Sequence, residues 1–201
     1  RVHKSNSCGN RFCPVCTWNK AKKDAIMISV VMEAVRVEHN QEFIFLTLTA
    51  PNVKGEDLKS EIDRFNKAFK KLFDRRNVKK AVNGYVRKLE VKYNKERFIT
   101  KEMYKNAQGY FDRRGLGIGD NNPNYDTYHP HIHAILAVNK SYFTSRDYIK
   151  QEEWLAMWRE CMEDPSITQV DIRKVRSSEK SENGAVEEIA KYAAKSDEMY
   201  C

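Results

Sequence analysis

The sequence predicts an α+β fold in which helices flank a central antiparallel sheet. Segments rich in β-branched and aromatic residues, such as Phe43–Thr49, alternate with segments whose apolar residues recur at helical spacing. One further segment, His131–Val138, alternates histidine with apolar residues, as expected of a strand that buries one face. Hydrophobic residues make up 41% of the 201-residue chain, which excludes a disordered protein and suffices for one domain with a real core.

The first half of the chain predicts two helices and a strand. A helix is expected over Trp18–Val37, where Ile28 and Met32 share one face. The strand Phe43–Thr49 follows and is ended by an Ala-Pro-Asn turn. A second helix is expected over Asp57–Asp74, and its apolar stripe lies among many lysines. The residues of that stripe are Leu58, Ile62, Phe65, Phe69 and Leu72.

The second half begins with a strand over Gly84–Tyr93, and a short segment at Phe98–Thr100 is expected to pair with it. The stretch Lys101–Tyr128 is polar and rich in Gly and Asn, so we expect a long loop. A helix over Ser145–Met162, capped by Ser145, follows the histidine strand. The remaining elements are a strand over Thr168–Val175 and a last helix over Gly184–Lys195.

The charge balance limits the classes of function. Lys and Arg number 36 against 28 Asp and Glu, and the net charge of +8 favours a polyanionic partner. No stretch approaches the roughly 20 apolar residues of a membrane span, which excludes a membrane-spanning protein. No signal peptide is recognisable after Arg1, and we expect a cytoplasmic location.

Three of the five cysteines lie close together near the start of the chain. Cys8, Cys13 and Cys16 form a C-x4-C-P-x-C pattern, whose spacing suits a structural zinc ion. A fourth ligand is needed, and His3 is the nearest candidate. Two other cysteines remain possible, Cys161 and Cys201. The alternative is a reduced cluster without metal.

A second metal site is expected on the histidine strand. His131 and His133 project from one face of the strand about 6–7 Å apart and can share a cation. Glu90 is the expected third ligand, because a carboxylate inside a strand is costly without a partner. Two histidines and one carboxylate leave positions on a divalent ion open for substrate oxygens. The alternative is that His131 and His133 are partly exposed strand residues that bind no metal, and that Glu90 is an ordinary surface glutamate.

The last predicted helix contains the sequence E-E-I-A-K-Y-A-A-K. Glu188 and Tyr192 lie four residues apart and therefore on one face. A tyrosine hydroxyl can attack a phosphodiester, a nearby carboxylate can activate a second nucleophile, and Lys191 and Lys195 can hold phosphates. The alternative is an ordinary surface helix with a packed tyrosine.

Four segments in this order resemble the rolling-circle replication initiators of small bacterial plasmids, which belong to the HUH endonucleases. The segments are F-L-T-L-T at Phe45–Thr49, L-E-V-K-Y-N at Leu89–Asn94, H-P-H-I-H at His129–His133 and E-I-A-K-Y-A-A-K at Glu188–Lys195. The start C-G-N-R-F-C-P-V-C is also similar to that family.

The resemblance implies an HUH-type fold over residues 21–201, preceded by a zinc-knuckle-like segment over residues 1–20. It implies that His131 and His133 bind Mg²⁺ or Mn²⁺ and that Tyr192 attacks single-stranded or hairpin origin DNA. The attack leaves a 5′-phosphotyrosine and a free 3′-hydroxyl for the host polymerase, which acts with a host helicase. Glu188 is implied to activate water at termination.

Two basic regions are candidate DNA contacts. Within the Lys101–Tyr128 loop, Arg113 and Arg114 stand beside tyrosine and phenylalanine residues and are expected to contact origin DNA. The second region is either a phosphate-binding surface or simply a solvated helix face. Its residues are Lys67, Lys70, Lys71, Arg75, Arg76, Lys79 and Lys80.

Other functions fit parts of the same pattern. An HUH transposase or a conjugative relaxase would use similar residues on different DNA. A non-enzymatic zinc-containing DNA-binding module would use the histidine pair only structurally.

Overall fold

A computed structural model describes residues 8, 10 and 13–175 of the chain. The helices are α1 (Pro14–His39), α2 (Leu58–Asp74), α3 (Arg76–Ala81), α4 (Lys101–Asn106), α5 (Gln108–Asp112) and α6 (Gln151–Met162). The strands are β1 (Gln41–Thr49), β2 (Val82–Asn94), β3 (Thr127–Asn139) and β4 (Val170–Val175). The four strands form one antiparallel sheet in the order β2-β3-β1-β4. This arrangement confirms the predicted fold class.

The main core lies between one face of the sheet and helices α2 and α6. Leu46 of β1 stands opposite Ala134 of β3, and both side chains are completely buried. From α2 and α6, Phe65 and Trp158 pack edge to face with ring centroids 5.5 Å apart. The indole nitrogen of Trp158 donates a 2.8 Å hydrogen bond to the carbonyl of Thr49, so this core also fixes the end of β1.

Helix α1 packs on the opposite face of the sheet. Its Met32 is buried in a smaller cluster with Phe43, Phe45 and Ile135. Asn40 adopts the left-handed conformation (φ 51°) that ends the helix and turns the chain directly into β1. His131 and His133 of β3 lie on this same face. They begin two residues along the strand from Ile135, which belongs to the cluster under α1.

The first helix is longer than predicted and begins within the cysteine motif. Cys13 is its N-terminal cap residue, and Pro14 occupies the first helical position, where a missing N–H costs nothing. Helix α1 therefore continues through residue 20, the expected boundary of the zinc-knuckle-like segment. The division of the chain at that residue stays a prediction. None of the helices among residues 13–175 combines the length and the apolar run that crossing a membrane needs.

Three local predictions were wrong. The stretch expected to be a loop contains the short helices α4 and α5, and Thr100 caps the first of them by accepting a hydrogen bond from the backbone N–H of Met103. Phe98 forms a bridge with Asn121 instead of pairing with β2. Helix α6 begins six residues later than expected, at Gln151, because residues 142–144 form a separate 3₁₀ turn. The hydroxyl of Ser145 donates to the carbonyl of Tyr142 in this turn and does not cap α6.

Candidate active site

Three adjacent strands bring polar side chains to one face of the sheet. Glu90 of β2 and Thr49 of β1 both stand opposite His131 of the central strand β3. Lys88 and Thr47 stand opposite His133 in the same way. Because residues directly opposite each other in an antiparallel pair share a face, all of these side chains project on the side of α1. The predicted pairing of the Glu90 strand with the histidine strand is confirmed.

His133 is held at both ring nitrogens. Its Nε2 lies 3.2 Å from Oε2 of Glu90, and its Nδ1 lies 3.2 Å from Oγ1 of Thr47. The donor and acceptor at each contact depend on the tautomer of the ring. With hydrogen on Nδ1, this N–H donates to Oγ1 of Thr47, and Nε2 presents a lone pair beside Glu90, as a shared cation would require. The ring is 4% exposed and packs 5.8 Å from the ring of Phe45. Thr47 lies within the F-L-T-L-T segment, and its hydroxyl is the group on β1 that orients the ring of His133.

His131 has a different environment. Its ring centroid lies 5.9 Å from that of His133 and 4.1 Å from that of His129. Its Nδ1 is buried and has no hydrogen-bond partner within the described part of the chain. Burial and the neighbouring His129, His133 and Lys92 lower the pKa of His131 to about 3. The imidazole is therefore neutral near pH 7, which is the form that ligates a metal ion.

The donor set fits a divalent cation in its chemistry. Two imidazoles and one carboxylate suit Mn²⁺ and related ions, and the unpartnered nitrogen of His131 is costly without a ligand. The structure brings Glu90 and His133 into contact, with His131 next along the strand. The ligand atoms of Glu90, His131 and His133 do not all lie within 4.8 Å of one another. Among residues 8, 10 and 13–175, only the cysteine cluster has ligand atoms that are all this close.

Two lysines flank the glutamate on the same strand face. Lys88 and Lys92 are each two residues from Glu90, and Lys92 stands opposite His129. Lys88 is half-buried, and this burial lowers the pKa of its ammonium group. Alternating lysine, glutamate and lysine beside three histidines make this face suitable for a phosphate and a cation together. The pattern is visible in the sequence K-L-E-V-K once the strand is recognised.

The cysteine cluster forms at the start of α1. The Sγ atoms of Cys8, Cys13 and Cys16 all lie within 4.8 Å of one another, as a shared metal ion requires. The Sγ atoms of Cys8 and Cys16 are 3.3 Å apart, and none of the three cysteines forms a disulfide bond within the described residues. Cys161 lies in the main core beneath the other face of the sheet, which removes it as a fourth ligand. His3 and Cys201 fall outside the described residues.

A cleft of about 890 Å³ opens beside His129, at the end of the histidine face. Helices α4 and α5 form one wall, and Arg113 and Arg114 both line it, where sequence reasoning expected DNA contacts. The guanidinium of Arg114 lies 3.9 Å from the centre of the Tyr110 ring. This stacked pair places a cation and an aromatic surface at the cleft.

The other basic region is largely neutralised. Four of its seven residues form ion pairs with neighbouring acids, which favours a solvated helix surface over a phosphate-binding one. The pairs are Lys71–Glu163, Arg75–Glu160, Lys79–Asp74 and Lys80–Asp147.

The predicted residues of the last helix lie outside the described residues. These are Glu188, Lys191, Tyr192 and Lys195. Val175, where the description ends, is buried against α1 on the histidine face of the sheet.

Comparison with protein families identifies the chain. A family model described as "Replication protein" matches residues 1–200. The chain belongs to this family. Membership confirms the resemblance to rolling-circle plasmid replication initiators that the four ordered motifs indicated.

Individual relatives cover nearly all of the chain. Proteins called "Protein rep" are 43% identical in Staphylococcus aureus, 34% in Streptococcus pneumoniae and 32% in a Bacillus species. The alignments cover 97%, 97% and 99% of this chain. They cover 72%, 53% and 60% of the relatives, so the chain spans between half and three quarters of their length. No solved structure matches the chain.

Proposed function

We propose that this chain is the catalytic part of a plasmid rolling-circle replication initiator that nicks and rejoins single-stranded origin DNA. One observation carries the proposal: in a chain of the replication protein family, Glu90 contacts His133 on the strand that also bears His131. A cation held by such residues activates a phosphate for attack. A protein that only binds DNA does not need this activation. Family membership also favours replication over the transposase and relaxase alternatives.

The proposed cleavage is a transesterification by Tyr192. Its phenolic oxygen attacks the scissile phosphorus and loses its proton to solvent or a nearby base. The bond from phosphorus to the 3′-oxygen breaks, and that oxygen takes up a proton to become a free 3′-hydroxyl. The 5′-phosphotyrosine keeps the energy of the broken ester, so the later joining step needs no nucleotide cofactor. The 3′-hydroxyl is then available to a host polymerase, with a host helicase opening the duplex ahead of it.

The described residues prepare the phosphate site. Thr47 and Glu90 fix the ring of His133, and burial keeps His131 neutral. Mg²⁺ or Mn²⁺, held by Glu90, His131 and His133, would supply Lewis acidity toward a phosphate oxygen. Lys92, beside His129 at the mouth of the cleft, is placed to attract the DNA backbone toward this face.

Covalent capture on labelled single-stranded oligonucleotides that tile the plasmid origin tests the proposal. With Mn²⁺, the wild-type chain is expected to form a denaturant-resistant protein–DNA adduct and to release a fragment with a 3′-hydroxyl. With EDTA, neither product is expected. If no oligonucleotide gives an adduct with Mn²⁺, the proposed function is wrong.

Glu188 is proposed to act at termination. Its carboxylate would take a proton from water, which attacks the regenerated origin and releases a 3′-hydroxyl and a 5′-phosphate. The variant Glu188→Ala should therefore keep initial adduct formation within about twofold but lose most hydrolytic release, as expected when one general base is removed.

The control for Glu188 is its neighbour Glu187, because consecutive residues of the predicted helix fall on different faces. Glu187→Ala should leave both steps unchanged in a time course that follows adduct and free product separately. Equal loss of both steps in Glu188→Ala would remove the proposed role.

A structural Zn²⁺ is proposed at Cys8, Cys13 and Cys16, with His3 as fourth ligand. Cys13→Ser should lower bound zinc from about one ion per chain to a small fraction, because the thiolate is lost at the start of α1. Elemental analysis after gel filtration measures this. Cys161→Ala, which changes a core cysteine, should lower the melting temperature but keep the zinc. Zinc retained by Cys13→Ser would contradict the site.

A further inference from the structure

The lining of the cleft beside His129 is unusually rich in amide side chains. Six of them converge on it from five separate parts of the chain. They are Asn52, Asn94, Asn106, Gln108, Asn124 and Gln169. The charged lining residues are Lys92, Arg113 and Arg114, and no carboxylate lines the cleft within the described residues.

Amides at this density suit a particular ligand. Phosphates are bound chiefly by cations and backbone N–H groups, whereas an amide presents a donor and an acceptor side by side. That pair matches the edges of unpaired nucleobases. The absence of carboxylates from the described lining avoids repulsion of a nucleic acid backbone, and the cations at the cleft attract it.

Several amides are held in place by the protein. Asn52 Nδ2 donates a 2.8 Å hydrogen bond to Oγ1 of Thr127, whose side chain is buried at the start of β3. Asn124 Nδ2 donates to the hydroxyl of Tyr110 at 3.4 Å. Asn106 and Gln169 are exposed, and their side chains make no hydrogen bonds within the described residues. The cleft thus combines fixed amides with available ones.

The cleft continues the histidine face. His129 and Lys92 belong both to the cleft lining and to the row of residues next to His131 and Glu90. His129 is two residues from His131 along β3, a distance of about 6–7 Å. A DNA strand with its scissile phosphate at the histidine pair would therefore place neighbouring nucleotides in the cleft. The Tyr110 ring, stacked with Arg114, offers a surface against which a base can pack.

We propose that this cleft reads the bases of unpaired DNA next to the cleavage position and so determines the sequence that is cut. The inference rests on the proposed function for the place of cleavage, but base reading itself requires no chemistry. The volume of about 890 Å³ lies within the range of a specific ligand site, roughly 300–1,000 Å³, and accommodates more than one base.

Selection from a pool of random single-stranded DNA, in EDTA, tests this inference without any cleavage. The wild-type 201-residue chain should enrich a short base preference. Asn106→Ala and Gln169→Ala, on separate segments, should each bind the enriched sequence about fivefold to tenfold more weakly, with binding to the random pool unchanged within about twofold. Arg113→Ala should instead weaken binding to every sequence and reduce its salt dependence.

Asn83→Ala is the matched control, because Asn83 is an exposed asparagine that bonds Asn139 at the far end of strands β2 and β3. It should change neither affinity nor preference. The inference is overturned if the wild-type chain enriches no sequence, or if the enriched preference is the same in wild type, Asn106→Ala and Gln169→Ala. Enrichment without any adduct in the covalent capture assay would overturn the nicking proposal and leave the base-reading cleft standing.

Discussion

Replacing His131 with alanine is expected to lower Mn²⁺-dependent nicking by about 10²–10³-fold while leaving the fold intact. Loss of one of two imidazole ligands removes several kcal/mol of metal-derived stabilisation of the phosphate in the transition state. The fold should tolerate the change because Nδ1 of His131 has no hydrogen-bond partner within the described residues. Removing a buried, unsatisfied polar group costs little and can even raise the melting temperature.

The measurement is single-turnover nicking over a range of Mn²⁺ concentrations, together with thermal unfolding of each variant. Glu90→Gln keeps the shape of the side chain but removes its charge, so it should raise the Mn²⁺ concentration needed for half-maximal rate. His39→Ala, at the exposed end of α1, is the matched histidine control and should nick like wild type. Unchanged nicking in both His131→Ala and Glu90→Gln would contradict the catalytic metal site, whereas no nicking by the wild-type chain at any Mn²⁺ concentration would favour the non-enzymatic DNA-binding module.

The sequence predicts those parts of the site that depend on strand periodicity. Ile132 and Ala134 alternate with the histidines, and both are completely buried in the main core, so the histidines must face the other side. The position of Glu90 followed from pairing its strand with the histidine strand, and the two strands do pair with Glu90 opposite His131. In both cases a local pattern and one correct strand pairing were enough.

The remaining parts depend on relations that the sequence does not display. Thr47 reaches His133 only because β1 lies on the second side of β3, which follows from the strand order of the whole sheet. The cleft amides come from five segments, and of these amides only Asn94 belongs to one of the four motifs. Helices α4 and α5 have six and five residues, too few to produce a clear helical period in the sequence.

The start of α6 was misplaced for a related reason. Ser145 is a good helix cap by composition, but its hydroxyl is used in the preceding turn, where it donates to the carbonyl of Tyr142. The helix begins instead where Glu153 accepts a hydrogen bond from the backbone N–H of Lys150. Competing local hydrogen bonds of this kind are decided by tertiary packing, here by the buried Tyr142 and Ile149.

Replacing Tyr192 with phenylalanine is expected to abolish the covalent adduct and lower nicking by at least about a thousandfold. Phenylalanine keeps the ring but lacks the oxygen that attacks phosphorus, and removal of a nucleophile is among the most damaging changes in an enzyme. Binding to single-stranded DNA in EDTA should stay within about twofold of wild type, because the proposed cleft and the lysines of β2 are untouched.

Tyr200 provides the matched control, since it is a second tyrosine eight residues further along the same terminal segment. Tyr200→Phe should form the adduct at the wild-type rate, and peptide mapping of the wild-type adduct should place the nucleotide on the peptide that contains Tyr192. An adduct that persists in Tyr192→Phe, or a nucleotide mapped to another residue, would contradict the proposed nucleophile. Loss of the adduct together with loss of DNA binding would instead assign Tyr192 to binding, so the two measurements must be made on the same protein preparation.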